Sequence, residues 1–154
     1  MTTASVEDIR RLREKTGAGI ADCRKALEES GGNFEKAKRL LASWGIEKAA
    51  SKSDRVVGAG LVETYIHSGG KVGSMVEVNC ETDFAAKTDE FKSLAHEVAM
   101  QVAAMDPKDV EELLKQEYIR DASKTINDLV NETIAKVGEN IQVKRFMRFE
   151  LGVE

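Results

Sequence analysis

Cysteine and histidine are the pair from which a nucleophile can be built, and the chain places Cys80 and His67 in neighbouring strand-like segments. A thiol becomes reactive when a base or positive charge lowers its pKa. The residues around Cys80 are Glu77, Asn79, Glu81 and Asp83, whose carboxylates act in the opposite direction, so this pairing argues against a thiol enzyme. Glu81 and Asp83 could offer oxygens to a divalent ion, but no motif sets a third or fourth ligand beside them, and they read as solvated turn carboxylates. Gly17-Ala18-Gly19 and Gly58-Ala59-Gly60 lack both the strand–glycine–helix context and the lysine that phosphate loops use. His67 and His96 stand alone, one read as a hairpin tip and the other as a helix surface. The expectation is therefore no catalytic residue, no metal site and no cofactor. What remains is Thr82-Asp83-Phe84-Ala85, where a large aromatic follows a carboxylate just as the chain turns. Two readings stay open: the ring plugs the junction between strand and helix, as most large aromatics would, or it is a rigid probe aimed at a partner.

The elements that must position this turn are legible on either side. Val76, Val78 and Cys80 alternate with Glu77, Asn79 and Glu81 at the period of a half-buried strand. Upstream, Val57 to His67 is rich in β-branched and aromatic residues, and Ser68-Gly69-Gly70-Lys71 joins the two as a hairpin. Downstream, Thr88 caps a helix with Asp89 and Glu90 in its first turn and Phe91, Leu94, Ala95, Val98 and Val102 on one stripe. Asp106-Pro107 is expected to restart a short helix, Thr125 to Val137 another, with Gly138 as terminator. Ile141 to Leu151 is a last strand whose imperfect alternation points to a bulge or to burial on both faces. The acidic stretch from Lys108 to Asp121 is expected to lead directly into that closing helix and strand.

Ahead of this lie three short helices. Ser5 caps the first, with Val6, Ile9 and Leu12 at helical spacing; Ile20, Cys23, Ala26 and Leu27 stripe the second; Asn33 caps a third that uses Phe34, Ala37, Leu40, Leu41 and Trp44 and is expected to stop at Gly45. Such a bundle sits near the lower size limit for independent folding, and modules this small usually bind rather than catalyse. Residues 47–56, rich in small and charged side chains, read as a linker with room for some helix. The fold expected is α+β: a three-helix module at 1–46, the linker at 47–56, and at 57–154 a small three-stranded antiparallel sheet with packed helices.

Composition sets the bounds. The 154 residues are 32% charged and 5% aromatic with a single proline, which fits a folded, helix-rich chain. With 23 basic against 27 acidic side chains the net charge is −4, contrary to the basic face that direct nucleic-acid binding requires. No run approaches the roughly 18 apolar residues of a membrane helix, and Ser5-Val6-Glu7-Asp8 is unlike a targeting peptide, so a cytoplasmic location is expected. Cys23 and Cys80 form no disulfide framework and read as reduced, buried thiols.

Three segments carry a resemblance. Leu12-Arg13-Glu14-Lys15-Thr16-Gly17-Ala18-Gly19-Ile20-Ala21-Asp22-Cys23-Arg24-Lys25-Ala26-Leu27 resembles the amino-terminal signature of the translation elongation factor Ts family. Val76 through Ala86 resembles its second signature, and Gly138-Glu139-Asn140-Ile141 followed by Lys144-Arg145-Phe146 is similar to its closing strand. They occur in the family's order across nearly the whole chain. The resemblance implies a guanine-nucleotide exchange factor for elongation factor Tu, promoting GDP release by displacing the Mg²⁺- and phosphate-binding elements. It implies Phe84 as the wedge, Asp83 and Thr82 as its orienting and polar partners with Ala85 following, and Ile20, Ala21, Asp22 and Arg24 on the docking surface of the first module. Here Ile20-Ala21 stand where bulky residues are frequent, Ala85 where valine is, and Arg24 where lysine is common. The alternative is a ubiquitin-associated-like adaptor that binds proteins without exchange activity. A sheet so small has open edges and a bare face, and short members of the family pair, so a homodimer is expected through the second domains, with Phe146, Met147 and Phe149 as candidate contacts.

Overall fold

The computed structural model describes residues 4–154, and among them the fold is α+β as expected. Helices α1 (Val6–Thr16), α2 (Ile20–Glu29) and α3 (Phe34–Lys52) come first. Ser5 Oγ accepts the Asp8 N–H at 3.0 Å and Asn33 Oδ1 accepts the Lys36 N–H at 2.9 Å, so both predicted caps satisfy donors that a helix start leaves free. α1 ends at Gly17 in the left-handed region (φ 69°), where a side chain would be strained. Leu12, Cys23, Ala26, Leu27 and Ala37 are buried together, with Phe34, Leu40, Leu41 and Trp44 packed on them.

α3 departs from expectation. Rather than stopping at Gly45 it runs on to Lys52, through the first half of the stretch read as a linker. Gly45 is a point of close approach: a Cβ there would lie 3.7 Å from the methyl of Ala135. Ala49, one turn further, is buried with the residues of the second core. Alanines supply high helix propensity and small volume, so the same residues that looked featureless let α3 continue and press on a neighbour.

The remaining chain forms β1 (Ala59–Ile66), β2 (Val72–Cys80), α4 (Asp83–Ala86), α5 (Asp89–Met105), α6 (Val110–Lys115), β3 (Glu117–Tyr118), β4 (Asp121–Thr125), α7 (Ile126–Val137) and β5 (Ile141–Glu150). The main sheet is antiparallel in the order β1-β2-β5, with β2 central. Glu77 faces Arg145 while Val78 faces Val143, which leaves Lys144 as the extra residue of a bulge. Val76, Val78 and Cys80 point into a core completed by Ile141 and Val143, by Phe91, Leu94, Ala95, Val98 and Val102 of α5, and by Ile126, Val130 and Ile134 of α7. The opposite face of the sheet carries Val62, Ile66, Met75, Met147 and Phe149, all exposed by half or more. Phe146 lies on the inner side, packed against the core.

Two further corrections concern the middle of the chain. The short helix is capped by Asp109, not Asp106; Asp106 instead closes α5 in the left-handed region at φ 45°. The stretch expected to run straight on to the closing helix contains the hairpin β3–β4. Two-residue strands show no alternation; this one is held by the wholly buried Gln101, which donates to the Glu117 carbonyl and accepts the Ile119 N–H, both at 3.0 Å. Among the described residues no helix is long and apolar enough to cross a membrane.

Candidate protein-docking site

β2 is fixed on both sides, so its carboxyl end is a rigid place from which to project a turn. Cys80, its last residue, pairs with Ala59 on β1 and Ile141 on β5. Two residues later Thr82 adopts extended backbone as the N-cap of α4, its Oγ1 accepting the Ala85 N–H at 3.3 Å. α4 is only four residues long. Ala85 and Ala86 face inward at 4% and 7% exposure, seating the helix on the core, while Phe84 points away and is 87% exposed. The ring is no junction plug. A phenylalanine left in water forgoes roughly 1.5–3 kcal/mol of burial, so its placement at a tightly held turn favours a surface role. Asp83 beside it is also exposed.

The turn is held from 57 residues away in sequence. Glu139 Oε1 accepts the N–H of Glu81 at 3.1 Å and of Thr82 at 2.9 Å, and Oε2 accepts the Thr82 hydroxyl at 2.6 Å. Glu81 Oε1 accepts the Asn140 N–H at 2.8 Å and faces Arg55 at 3.4 Å. The Asn140 side-chain amide donates to the carbonyls of Arg55 (2.9 Å) and Ser53 (3.4 Å). Glu139 and Asn140 thus have structural partners that no local reading assigns. The Gly138-Glu139-Asn140 sequence signals only a helix end and a turn.

The groups that suggested chemistry are kept apart. His67 lies beyond the Ile66–Gly73 end of the β1–β2 ladder and Cys80 at the other, so the two never meet. The His67 ring instead contacts the Tyr65 hydroxyl at 3.1 Å. Burial pushes the Cys80 thiol above its ordinary value and the Glu139 carboxylate pushes it further; Cys23 is also raised, chiefly by burial. Both thiols are free and buried. Among the described residues no three acidic, histidine or cysteine side chains cluster as a metal site.

A second exposed surface lies on α2. Ile20 is 58% exposed, and Ala21 and Arg24 are also exposed. Asp22 is partly covered, its carboxylate accepting from Lys48 Nζ of α3 at 2.6 Å. Beside it an open hollow of about 340 Å³ is lined by Asp22, Lys25, Trp44, Glu47, Lys48 and Ser51, with Lys25 Nζ 4.8 Å from the centre of the Trp44 ring.

Comparison with known proteins adds an independent line. The family model described as Elongation factor TS matches residues 81–154, starting at the turn that carries Phe84. The elongation factor Ts of a Thermoanaerobacter species is 45% identical, the match covering 96% of this chain and 95% of that protein. That alignment extends over 193 positions against the 154 residues here, so the relative has additional residues. The protein of the same name from Desulfosudis oleivorans is 41% identical, with 99% and 100% of the two chains covered. In a Nostoc species the identity is 50%, covering 98% of this chain but 48% of the relative. With this identity sustained end to end, and with the turn, strand and helices ordered as described, the chain belongs to the elongation factor Ts family of translation elongation factors.

Proposed function

We propose that the chain is a guanine-nucleotide exchange factor for elongation factor Tu, acting through Phe84. The observation that carries this reading is an almost fully exposed aromatic ring, mounted on a four-residue helix at the end of the central strand, in a member of this family. In the partner, GDP is held by phosphate-loop amides and Mg²⁺. A ring inserted beside those elements, with Asp83 as a polar neighbour, stabilises the empty pocket relative to the filled one. Thr82 caps and Ala85 seats the helix that delivers it. By linkage, the factor by which nucleotide weakens the exchange protein's binding is the factor by which the exchange protein weakens the nucleotide's. Each tenfold effect requires about 1.4 kcal/mol, within the reach of one buried aromatic anchor. No covalent bond is made or broken, so no catalytic residue is needed.

The amino-terminal module of residues 1–46, of which 4–46 are described, supplies affinity through Ile20, Ala21, Asp22 and Arg24 on α2. The core of residues 57–154 performs the displacement. The bare sheet face, with Met75, Met147 and Phe149 in adjacent register, supports pairing of two cores about a two-fold axis. The net charge of −4 supports a protein partner rather than a nucleic acid. This role places the chain in the cytoplasm, where translation runs.

The test is release of fluorescent GDP from elongation factor Tu in the presence and absence of the protein. Acceleration by the intact chain supports exchange; binding without acceleration supports an adaptor and overturns the proposal.

A further inference from the structure

We propose that Glu139 is the positioning residue of the Phe84 turn, acting on nucleotide exchange only through the ring it orients; this rests on the exchange reading above. A four-residue helix cannot hold itself, because the first hydrogen-bonded turn of any helix orders several dihedral angles for one bond. α4 must therefore be fixed from outside. Its inner side rests on Ala85 and Ala86, which are too small to fix the rotation of the helix by shape. The Cys80 thiol donates to the Thr82 carbonyl at 3.2 Å and the Thr88 hydroxyl to the Ala85 carbonyl at 2.7 Å, both from neighbouring positions in the chain; the constraint that ties the turn to a distant element comes from Glu139. One carboxylate oxygen takes the backbone N–H groups of Glu81 and Thr82, and the other takes the Thr82 hydroxyl proton. With that proton committed, the Thr82 oxygen turns a lone pair to the Ala85 N–H, the first amide beyond Phe84. Glu139, Thr82 and Ala85 thus form a relay that brackets the aromatic residue. Glu139 is itself aimed by the end of α7, where Gly138 takes the left-handed conformation at φ 81°.

A preset ring binds better than a free one because the turn is not ordered at the moment of association. Removing the carboxylate should therefore lower exchange activity by about tenfold without touching the partner. Chemistry singles out the conservative replacement. In Glu139→Gln the amide oxygen can still accept both backbone N–H groups and the NH₂ can donate to Thr82 Oγ1, so positioning survives the loss of charge. Glu139→Ala has nothing to offer either.

The experiment measures elongation factor Tu-bound fluorescent GDP release for Glu139→Ala and Glu139→Gln, each with Phe84 intact and with Phe84→Ala. Amide hydrogen exchange at Thr82 and Ala85 is followed alongside, with β1–β2 amides as the control for folding. The expected result is an approximately tenfold loss for Glu139→Ala that vanishes in the Phe84→Ala background, with activity restored by Glu139→Gln. The same fractional loss in both backgrounds, or a Gln variant as poor as the Ala variant, overturns the proposal. If Phe84→Ala alone leaves exchange unchanged, the wedge reading fails; unaltered protection of Thr82 and Ala85 in Glu139→Ala then rejects the positioning role separately. Should Glu139→Ala not fold, Thr82→Val, which removes the hydroxyl link, must reproduce the loss or the proposal falls.

Discussion

The side chain of Asn140 reaches back to the carbonyl of Arg55, donating at 2.9 Å from a position that is 3% exposed. It fastens the segment leaving α3 to the corner where β5 begins, next to the Glu81–Thr82 turn. Replacing Asn140 by Ala removes both of its side-chain hydrogen bonds, to the carbonyls of Arg55 and Ser53, and leaves a gap at a buried position. A loss of about 1–3 kcal/mol is expected in a denaturant melt. Asn140→Asp should be worse, since a carboxylate would face two carbonyl oxygens.

Phe84→Ala should separate stability from activity. With its ring in water, the residue contributes little to this chain's own core, and its loss should change stability by no more than about 0.5 kcal/mol. Stimulated GDP release should fall by roughly thirtyfold, the equivalent of an anchor of about 2 kcal/mol. A large drop in melting temperature with unchanged activity would reverse the assignment.

For the α2 surface, a truncation before Asp54 is a poor probe because it would strip Ala49 from the second core. The cleaner change is Ile20→Asp combined with Arg24→Glu. Both positions are exposed, so folding should be unaffected. The concentration giving half-maximal exchange should rise about tenfold while the rate at saturation stays the same if, as proposed, the module supplies affinity and the turn supplies displacement.

Met147 stands opposite Met75 on the outer face of the sheet, at 62% and 51% exposure. If two copies cover this face, Met147→Asp buries a charge against apolar surface and should release monomers, read by light scattering at ~10 µM protein. A wild-type monomeric mass at that concentration rejects the dimer.

Tyr118 provides a test of pH dependence. Its hydroxyl donates to Glu97 Oε2 at 2.6 Å, and burial first, then that carboxylate, raise its pKa well above the ordinary phenol value. A raised folded-state pKa means the stabilisation is complete below the unfolded value of about 10 and is lost as pH climbs toward the folded one. Stability should therefore decline in strong alkali, and Tyr118→Phe should remove that component. A phenolate absorbance titration with all tyrosines ionising near pH ~10 would contradict it.

How far the sequence could be read follows from the range of the interactions involved. Caps such as Ser5, Asn33, Thr88 and Thr125 act over three residues, so their chemistry is written beside the helix they start. The faces of β2 were equally plain, because alternation reports burial directly, while those of β5 were not, because the bulge at Lys144 shifts its alternation and puts Phe146 inward but Met147 and Phe149 outward. Gly45 misled because a glycine in a helix can mean a terminus or a close approach, and only the presence of Ala135 decides between them. The β3–β4 hairpin owes its place to Gln101, whose bonds reach 16 and 18 residues ahead. Phe84 could be singled out, but not its orientation, because whether the ring points inward depends on which side of α4 the alanines occupy. Glu139 stood within the segment that resembles the family's closing strand, but its bonds were not legible, since its partners lie at the far end of another strand.

The strand order has a consequence for synthesis. β2 needs β1, made just before it, and β5, made after every other element described above. While the ribosome is still adding α5 to α7, the amino-terminal helices have all their sequence-local partners and can close, but β2 carries an open edge, the situation in which nascent chains pair wrongly or stick to one another. The charged flank helps here: Glu77 on β2 has no Arg145 to meet until the end, and its unpaired carboxylate discourages a second copy from docking on that edge. Glu139, just ahead of β5, is also made long after β2. On the proposed reading, a growing chain lacks a rigid Phe84 turn until β5 is in place, and an unfinished copy has little capacity to engage a partner.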